Sequence, residues 1–309
     1  MKIYRELEFY PKTPSVVTIG TFDGVHIGHK KIIQRLTHVG NTKSLTSLVL
    51  TFFPHPRMVL QKEANIKMLN TIDEKIDLLS KLNLDGLIIK TFDMSFANLS
   101  ARDYVKNILV DGLNAKHIII GYDHHFGKNR TADISDLKRF GLEFGFEVEE
   151  ISVQDIQDVA VSSTKIRNAI LEGDLKTAQS YLDHPYFLTG TVVHGKGLGR
   201  QIKFPTANLY IEEHYKLIPK NGVYVVQSEI DDATVHGMMN IGFNPTVDGT
   251  KQSIEIHFFG IDENLYNKNL RINILDRLRD EQKFESVSLL QEQLIKDQNQ
   301  ALEYIKTHE

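Results

Sequence analysis

The chain has 309 residues, which at about 100 to 200 residues per domain predicts two domains. Hydrophobic residues make up 41% and charged residues 25% of it, a composition typical of folded globular proteins rather than disordered or fibrous ones. There is no cysteine, which excludes disulfides, thiolate metal sites and thiol nucleophiles and fits a reducing, cytoplasmic location. The net charge is -4, so we expect no nucleic-acid partner. The sequence contains no run of about 18 apolar residues, so we expect no membrane span.

In the first part of the chain, short apolar runs alternate with longer amphipathic ones, as in a parallel α/β sheet. We predict five strands, at 16–20, 45–52, 86–90, 117–121 and 146–151. Helices are predicted between and after them, at 30–39, 72–82, 101–109, 134–144, 163–171 and 175–182. This order indicates an α/β, doubly wound, Rossmann-like domain over residues 1–183.

After residue 183 the pattern changes to β-runs separated by Gly, Asn and Asp. We predict strands at 188–193, 222–230, 234–241, 253–259 and 270–275. Short strands at this spacing indicate a small antiparallel β-barrel or a sandwich. The final stretch, 287–305, has the apolar periodicity of a helix. We therefore place a second domain over residues 184–309, on the change of period alone.

A glycine-rich turn with two histidines follows the first predicted strand, in the string GTFDGVHIGH that runs from Gly20 to His29. The start of a helix offers unpaired backbone N–H groups and a partial positive charge, so phosphate is its natural ligand. His26 and His29 lie three residues apart and can both donate to phosphate oxygens on which charge builds up. This combination indicates nucleotidyl transfer. Surface histidines beside a helix start, or a zinc pair, are the alternatives.

The same residues carry a resemblance to a known family. His26, Gly28 and His29 occupy the three named positions of the HxGH signature of the adenylyltransferase and class I aminoacyl-tRNA synthetase superfamily. The longer string resembles the opening motif of the bacterial bifunctional riboflavin kinase/FMN adenylyltransferase family, also called FAD synthetases. The resemblance implies catalytic roles for the two histidines. It also implies contacts with the nucleotide or its phosphates, made by Gly20, Phe22, Asp23 and Gly28.

Two later segments are similar to loops of that family. The string FFPHP matches its F-x-P-H-P loop, where proline makes the backbone stiff. The string GYDHHFG matches its G-x-D-F-x-F-G pattern, with His124 where phenylalanine is usual. The resemblance implies that these loops bind flavin through Pro54, His55, Pro56, Asp123 and Phe126.

A further segment, VSSTKIR, is similar to the family's S-S-T-x-I-R motif. There the hydroxyls of Ser162, Ser163 and Thr164 at a helix start would hold the triphosphate. Arg167, one turn later and implied to be catalytic, would hold it by charge-assisted hydrogen bonds. Helix capping is the alternative role for the hydroxyls, and it does not account for Arg167.

A second glycine-rich loop follows the strand predicted at 188–193. Its phosphate-binding candidates are Gly195, Gly197, Gly199 and Arg200. Such a loop can present N–H groups to phosphates, but it lacks the G-K-[ST] ending of a Walker A motif, and a plain hairpin is equally consistent with it. Thr206 and Asn208 then alternate along an extended segment. They present a hydroxyl and an amide oxygen on one face, which suits Mg2+.

This second loop and the FPTAN run that follows it resemble the riboflavin kinase signature of the same family. Glu255 stands in the position of the family's catalytic glutamate. The resemblance implies that its carboxylate accepts the proton of the riboflavin 5'-hydroxyl as that oxygen attacks the γ-phosphorus of ATP. Lys203 stands where the family usually has glycine, and this change should stiffen the loop.

The resemblance covers about residues 15–300 and implies one enzyme with two reactions. The second domain would phosphorylate riboflavin to FMN, and the first would adenylylate FMN to FAD with release of pyrophosphate. Mg2+ is the implied cofactor, ATP the co-substrate, and riboflavin, FMN and FAD the substrates and products. The alternatives are an adenylyltransferase with another acceptor, such as a cytidylyl or pantetheine-phosphate transferase, and a flavin carrier without catalysis. A homo-oligomer is compatible with these patterns.

Overall fold

The computed structural model describes residues 1–61, 66–121, 124–151, 161–195, 199, 202–246, 249–261 and 263–308, without the side chains of 244–246 and 249–251. The chain divides into two compact units, Met1–Ser163 and Thr164–Glu309. The two helices that we predict at the end of the first domain, at 163–171 and 175–182, pack instead with the second unit. The functional boundary at residues 183 and 184 stays a prediction. Across the described ranges, no helix combines the length and the apolar character that a membrane span needs.

The first unit is built on a six-stranded parallel sheet. Its strands are β1 (Lys2–Tyr4), β2 (Ser15–Ile19), β3 (Thr46–Phe53), β4 (Gly86–Thr91), β5 (Ala115–Gly121) and β6 (Glu147–Ile151). Their spatial order is β1-β4-β3-β2-β5-β6, and all neighbouring pairs are parallel. The predicted doubly wound α/β fold is confirmed. The edge strand β1 escapes the sequence pattern because three residues are too few to show a period of two.

Helices cover the sheet and connect its strands. They are α1 (Ile27–Lys43), α2 (Pro56–Leu60), α3 (Ile72–Ser80), α4 (Met94–Ala97), α5 (Ala101–Tyr104) and α6 (Ile134–Phe144). The helix predicted at 101–109 is present, but beyond α5 it continues as a π-helical segment, Val105–Val110. Helix α3 begins with a capping box, in which Thr71 and Glu74 each accept the other's backbone N–H.

The strand order places a ligand crevice beside β2. This strand pairs with β3 on one side and with β5 on the other, so the chain winds outward in both directions from the β2–β5 pair. In open α/β sheets, ligands bind outside the carboxyl ends of the strands where the order reverses. All five residues of β2 are buried, so this central strand is a rigid support for the residues that follow its carboxyl end. The segment with the two histidines leaves β2 at that point.

The second unit contains a closed six-stranded antiparallel barrel, which decides between the barrel and the sandwich. Its strands are β7 (Tyr186–Val193), β8 (Ala207–Tyr210), β9 (Gly222–Ile230), β10 (Ala233–Thr246), β11 (Gly249–Phe258) and β12 (Asn269–Arg279). Their order around the barrel is β10-β11-β8-β7-β12-β9. The helices are α7 (Ser163–Glu172), α8 (Leu175–Leu182) and α9 (Val287–His308), of which α7 begins on the last residue of the first unit.

A buried ion pair joins α9 to the barrel. The carboxylate of Asp297 on α9 is wholly buried, and it accepts hydrogen bonds from Nε and Nη2 of Arg279 at 2.8 and 2.7 Å. The side-chain amide of Gln293 donates to the same carboxylate at 2.8 Å. A buried carboxylate is costly unless it is paired in this way, so these bonds determine where the helix can lie.

Candidate active sites

The turn between β2 and α1 has an unusual backbone. Phe22, Gly24 and Val25 have φ angles of 48°, 88° and 42°, all in the left-handed region. Glycine adopts this region freely, but a β-branched valine there is a rare and strained exception. Strain of this kind is concentrated at functional sites, where the surrounding structure enforces it. The N–H of Val25 donates to the Phe22 carbonyl at 3.3 Å and closes the turn.

The two histidines lie together at the start of α1. Nδ1 of His26, the N-cap residue, accepts a hydrogen bond from the backbone N–H of His29 at 3.4 Å. Their rings stack with centroids 3.6 Å apart and an angle of 17° between the planes. Because Nδ1 of His26 is an acceptor, the proton of the neutral ring is on Nε2. His26 can therefore offer Nε2–H to a ligand at the helix start.

Burial keeps both imidazoles neutral. It lowers the pKa of His26, whose exposed fraction is 6%, to about 4. Burial also holds the pKa of His29 well below its usual value, and the neighbouring His26 and the Lys75 ammonium lower it further. Nδ1 of His29 is buried and has no hydrogen-bond partner among the described residues. Buried polar atoms are seldom left so, and a catalytic role is one of the recognised reasons for such an exception.

Other predicted residues of this site support the turn. The buried carboxylate of Asp23 accepts the backbone N–H of Leu69 at 2.9 Å and that of Asn70 at 3.3 Å, and so holds the chain that leads into α3. Ser163 donates its hydroxyl to the Asp23 carbonyl at 2.9 Å, which brings the S-S-T motif to the turn. A Cβ on Gly28 would lie 3.2 Å from Val161 and 3.3 Å from the His26 ring, so a side chain there would crowd both.

The remaining predicted phosphate contacts have these positions. Gly20 directly follows β2 and donates its N–H to the Leu50 carbonyl at 3.0 Å. Phe22 is buried, and its ring lies 4.9 Å from the His29 ring. Ser162 and Thr164 are exposed, and Nη1 of Arg167 donates to the Thr164 hydroxyl at 3.3 Å. Contacts of Ser162, Thr164 and Arg167 with a triphosphate stay predictions.

The two predicted flavin loops differ in burial, since Pro54, His55 and Pro56 are half-buried and Phe126 is buried. His55 caps α2, its Nδ1 accepting the Arg57 N–H at 3.1 Å, between Pro54 and Pro56, the first residue of the helix. Phe126 is buried, with its ring 5.7 Å from Tyr104 and 6.0 Å from His124. It is therefore part of a wall rather than an exposed stacking surface. Asp123 lies outside the described residues.

Two features of this unit escape the sequence motifs. One is a group of aromatic rings at the carboxyl end of β3 and after β4, with neighbouring centroids 5.4 to 5.8 Å apart, formed by Phe52, Phe92, Phe96 and Tyr104. The other is Lys75, which is buried on α3. Its spacing of three residues from Ile72 and four from Leu79 places a lysine on the apolar face of that helix, and this is the signal that could have revealed it.

In the barrel unit, the first glycine of the predicted phosphate-binding loop lies against β8. A Cβ on Gly195 would overlap the side-chain amide of Asn208, so only glycine fits this close approach. The Gly199 carbonyl accepts the N–H of Phe204 at 2.9 Å. Lys203 has a φ of 64°, and this left-handed backbone explains why glycine suits its position. Gly197 and Arg200 lie outside the described residues.

The predicted metal ligands and the glutamate come together on one face of the barrel. The Thr206 hydroxyl donates to Oε2 of Glu255 at 3.2 Å, and the Ser253 hydroxyl donates to Oε1 at 3.4 Å. Asn208 lies directly opposite Glu255 in the pairing of β8 with β11. All three predicted residues are half-buried. Their hydroxyl, amide and carboxylate oxygens are hard donors, a set that fits Mg2+ bound together with phosphate oxygens.

A doubly wound domain with two histidines at a helix start, together with a barrel that carries a carboxylate beside hard oxygen ligands, defines a two-domain phosphate-transferring enzyme. Two family models match the chain, FAD synthetase at residues 10–165 and riboflavin kinase at residues 182–305. The chain therefore belongs to the bifunctional riboflavin kinase/FMN adenylyltransferase family.

Individual relatives agree with this assignment over almost the whole chain. The bifunctional riboflavin kinase/FMN adenylyltransferase of Buchnera aphidicola subsp. Schizaphis graminum is 36% identical over 96% of this chain and 96% of its own. The enzyme of the same name from Listeria monocytogenes is 38% identical over 92% of this chain and 90% of its own. A crystal structure described as a macrolide-efflux protein from Streptococcus pneumoniae superposes with a TM-score of 0.86, at 32% identity, over 96% of this chain and 97% of its own.

Proposed function

We propose that the chain carries out both reactions of its family, one in each unit. The barrel phosphorylates riboflavin with ATP to give FMN and ADP. The α/β unit transfers AMP from a second ATP to FMN and gives FAD and pyrophosphate. The observation that supports this proposal is that each unit brings together one of the two predicted sets of residues, the histidine pair after β2 and the Thr206–Glu255 pair on the barrel. An adenylyltransferase for another acceptor would not need the second set.

In adenylyl transfer, a phosphate oxygen of FMN attacks the α-phosphorus of ATP, and the bond to the pyrophosphate oxygen breaks. The FMN phosphate is already ionised at neutral pH, so no general base is required. Nε2–H of His26 and a ring nitrogen of His29 donate to oxygens on which charge develops. Since burial keeps both rings neutral, they act as hydrogen-bond donors and not as fixed cations. Backbone N–H groups at the start of α1 add to this stabilisation.

The flavin of FMN lies against the aromatic wall in this proposal. Phe52 lies at the carboxyl end of β3, and Phe92 and Phe96 follow β4, on the edge of the sheet where the histidine turn also lies. A flat apolar ring system packs well on such rings, with the Pro54 to Pro56 loop beside it. The buried Phe126 supports the wall from the core.

In riboflavin phosphorylation, Glu255 accepts the proton of the 5'-hydroxyl as that oxygen attacks the γ-phosphorus and ADP leaves. The hydrogen bonds from Thr206 and Ser253 hold the carboxylate in place without protonating it. Thr206 and Asn208 would hold Mg2+ together with ATP phosphate oxygens, and the ion would neutralise phosphate charge in the transition state. Gly195 packs on Asn208, and the glycine-rich loop that begins there would cover the phosphates.

The setting of both reactions is proposed to be the cytoplasm, in agreement with the absence of cysteine. All proposed partners are small molecules, namely ATP, Mg2+ and the three flavins.

Two single substitutions test the assignment of one reaction to each unit. We expect His29→Ala to lower FMN adenylylation at least about 100-fold, because a transition-state donor is lost, and to leave FMN as the end product of riboflavin and ATP. Glu255→Ala should lower FMN formation at least about 100-fold and leave added FMN convertible to FAD. Chromatography of the flavins formed with ATP and Mg2+ measures both.

The matched controls are His38→Ala, at an exposed position of α1, and Glu229→Ala, at an exposed position of β9. Both should retain the two activities. If either active-site substitution removed both activities from folded protein, each reaction could not belong to a separate unit. If the unmodified chain formed no FMN and no FAD, the proposed function would be wrong.

A further inference from the structure

Lys75 is a buried lysine whose burial costs stability, and it has no role in the mechanism above. Its exposed fraction is 4%, and it lies on the buried face of α3 beside Leu78 and Leu79. An ammonium has three N–H donors, and the described residues give this one a single acceptor, the Thr21 carbonyl at 2.7 Å. Burying a charge so sparsely paired costs stability, and an apolar residue of similar volume would avoid that cost. The cost therefore indicates a functional role for the lysine, and its hydrogen bond to Thr21 indicates where that role is.

The carbonyl that Lys75 holds belongs to the histidine turn. The Thr51 hydroxyl donates to the same oxygen at 3.2 Å, so one donor from α3 and one from β3 hold it. A peptide unit is planar and trans, so a fixed Thr21 carbonyl also fixes the opposite direction of the Phe22 N–H. Phe22 has a φ of 48°, and its ring lies 4.9 Å from the His29 ring. Lys75 thereby determines the backbone that leads to the two histidines.

The ammonium also places a positive charge behind the histidines. The negative charge of Asp23 raises the pKa of Lys75 and so favours its charged form, while the Asp23 oxygens themselves accept the N–H groups of Leu69 and Asn70. The charge acts on His29, whose pKa it helps to lower. In a site with little water, a fixed charge acts on developing negative charge more strongly than it would in solution.

We propose that Lys75 is a positioning residue of the adenylyl-transfer site, which fixes the Thr21–Phe22 peptide and keeps a buried positive charge behind the His26–His29 pair. It acts through the turn and through His29 rather than by contact with substrate. The inference rests on the proposed adenylyl transfer in the α/β unit.

The test compares Lys75→Met with Lys81→Met in the full chain. Lys81 directly follows the same helix, is exposed and pairs with Asp77 at 2.9 Å. We expect Lys75→Met to lower kcat for FMN adenylylation about 100-fold with little change in the KM for ATP, because misplaced reacting groups cost rate rather than binding. Riboflavin kinase activity and thermal stability should persist, since methionine fills the buried site. Lys81→Met should resemble the unmodified protein in every measurement.

A second variant supplies a readout that a merely structural role would not change. Burial lowers the pKa of Lys75 to about 8, against the opposing effect of Asp23. Loss of this proton removes the charge, so kcat/KM for adenylylation should fall as the pH rises above about 8. His26 and His29 are neutral throughout that range and do not contribute. In Lys75→Arg the charge persists, so the fall should shift to higher pH and activity should exceed that of Lys75→Met.

The proposal is wrong if Lys75→Met keeps kcat within about twofold of the unmodified protein, a factor below the cost of one lost hydrogen bond. It is also wrong if the kinase and adenylyl-transfer activities fall together, or if the pH profile of Lys75→Arg is unchanged. An unmodified chain that forms FMN but no FAD would instead overturn the proposed function of the α/β unit.

Discussion

At the scale of single residues, the histidine pair shows how burial selects a chemical role. Two imidazoles stacked 3.6 Å apart in a poorly hydrated turn cannot hold two positive charges at neutral pH. The hydrogen bond from the His29 N–H to Nδ1 of His26 further selects one tautomer of His26. The result is a donor of fixed direction whose strength does not vary with pH around neutrality. The three-residue spacing predicts that the two residues meet, but it does not predict their protonation.

The same burial makes the α/β unit sensitive to acid. The pKa of His26 is about 4 in the folded chain against 6.5 for the free side chain, so between these values the unfolded state binds more protons. The free energy of unfolding should therefore fall as the pH decreases from 6.5 to 4. The contribution of His26 is roughly 3 kcal/mol, since each unit of pKa difference corresponds to about 1.4 kcal/mol.

Urea unfolding of the α/β unit, followed between pH 4 and 7, measures this dependence. His26→Gln should flatten it, while His38→Gln, at an exposed position of the same helix, should leave it as it is. An equally steep acid dependence in His26→Gln would contradict the assignment.

At the scale of elements, the apolar periods predict most helices and strands because each element buries one continuous face. The elements that escape prediction are short. β1 has three residues and α4 has four, and neither length covers a repeat of its pattern. The π-helical continuation of α5 also has no sequence signal, because a π-turn and an α-turn can bury the same residues, here Val105, Ile108 and Leu109.

The attachment of α9 to the barrel depends on the ion pair between Arg279 and Asp297. Removal of Asp297 would leave the Arg279 guanidinium half-buried without its carboxylate, and the loss of one partner of a buried pair costs about 3 to 5 kcal/mol. We expect Asp297→Ala to destabilise the barrel unit by this amount. Thermal inactivation of riboflavin kinase should then occur at a lower temperature, with FMN adenylylation less affected.

Glu292→Ala is the matched control, since Glu292 is exposed on the same helix. It should leave the inactivation temperature unchanged. Replacement of both Arg279 and Asp297 by leucine should recover part of the loss, because no charge is then buried alone. If Asp297→Ala inactivated no earlier than Glu292→Ala, the pair would not stabilise the barrel.

At the scale of the whole molecule, the two reactions are chemically consecutive, since the product of the barrel is the substrate of the α/β unit. In this proposal the histidine pair lies in the first unit and the Thr206–Glu255 pair in the second, so two chains with complementary defects should cooperate through solution. An equal mixture of His29→Ala and Glu255→Ala proteins should convert riboflavin to FAD after a lag, during which free FMN accumulates.

Flavin chromatography over time measures that lag, and added FMN should abolish it. Each variant alone should form no FAD from riboflavin and ATP. A mixture that formed FMN but never FAD would show that the second reaction needs FMN made on the same chain.

Sequence by itself determined the family and the doubly wound class of the first part, and it predicted the residues of both sites, because local motifs and periodic burial are encoded in neighbouring positions. Tertiary structure alone decided what depends on distant positions. It placed the reversal of strand order beside the histidine turn, and it closed the β-runs into a barrel, which brought Thr206 to Glu255 across 49 positions of the chain. It also placed Lys75 beneath the Thr21 carbonyl, 54 positions away, because the energetic value of a buried lysine depends on the acceptor it meets and not on its neighbours in sequence.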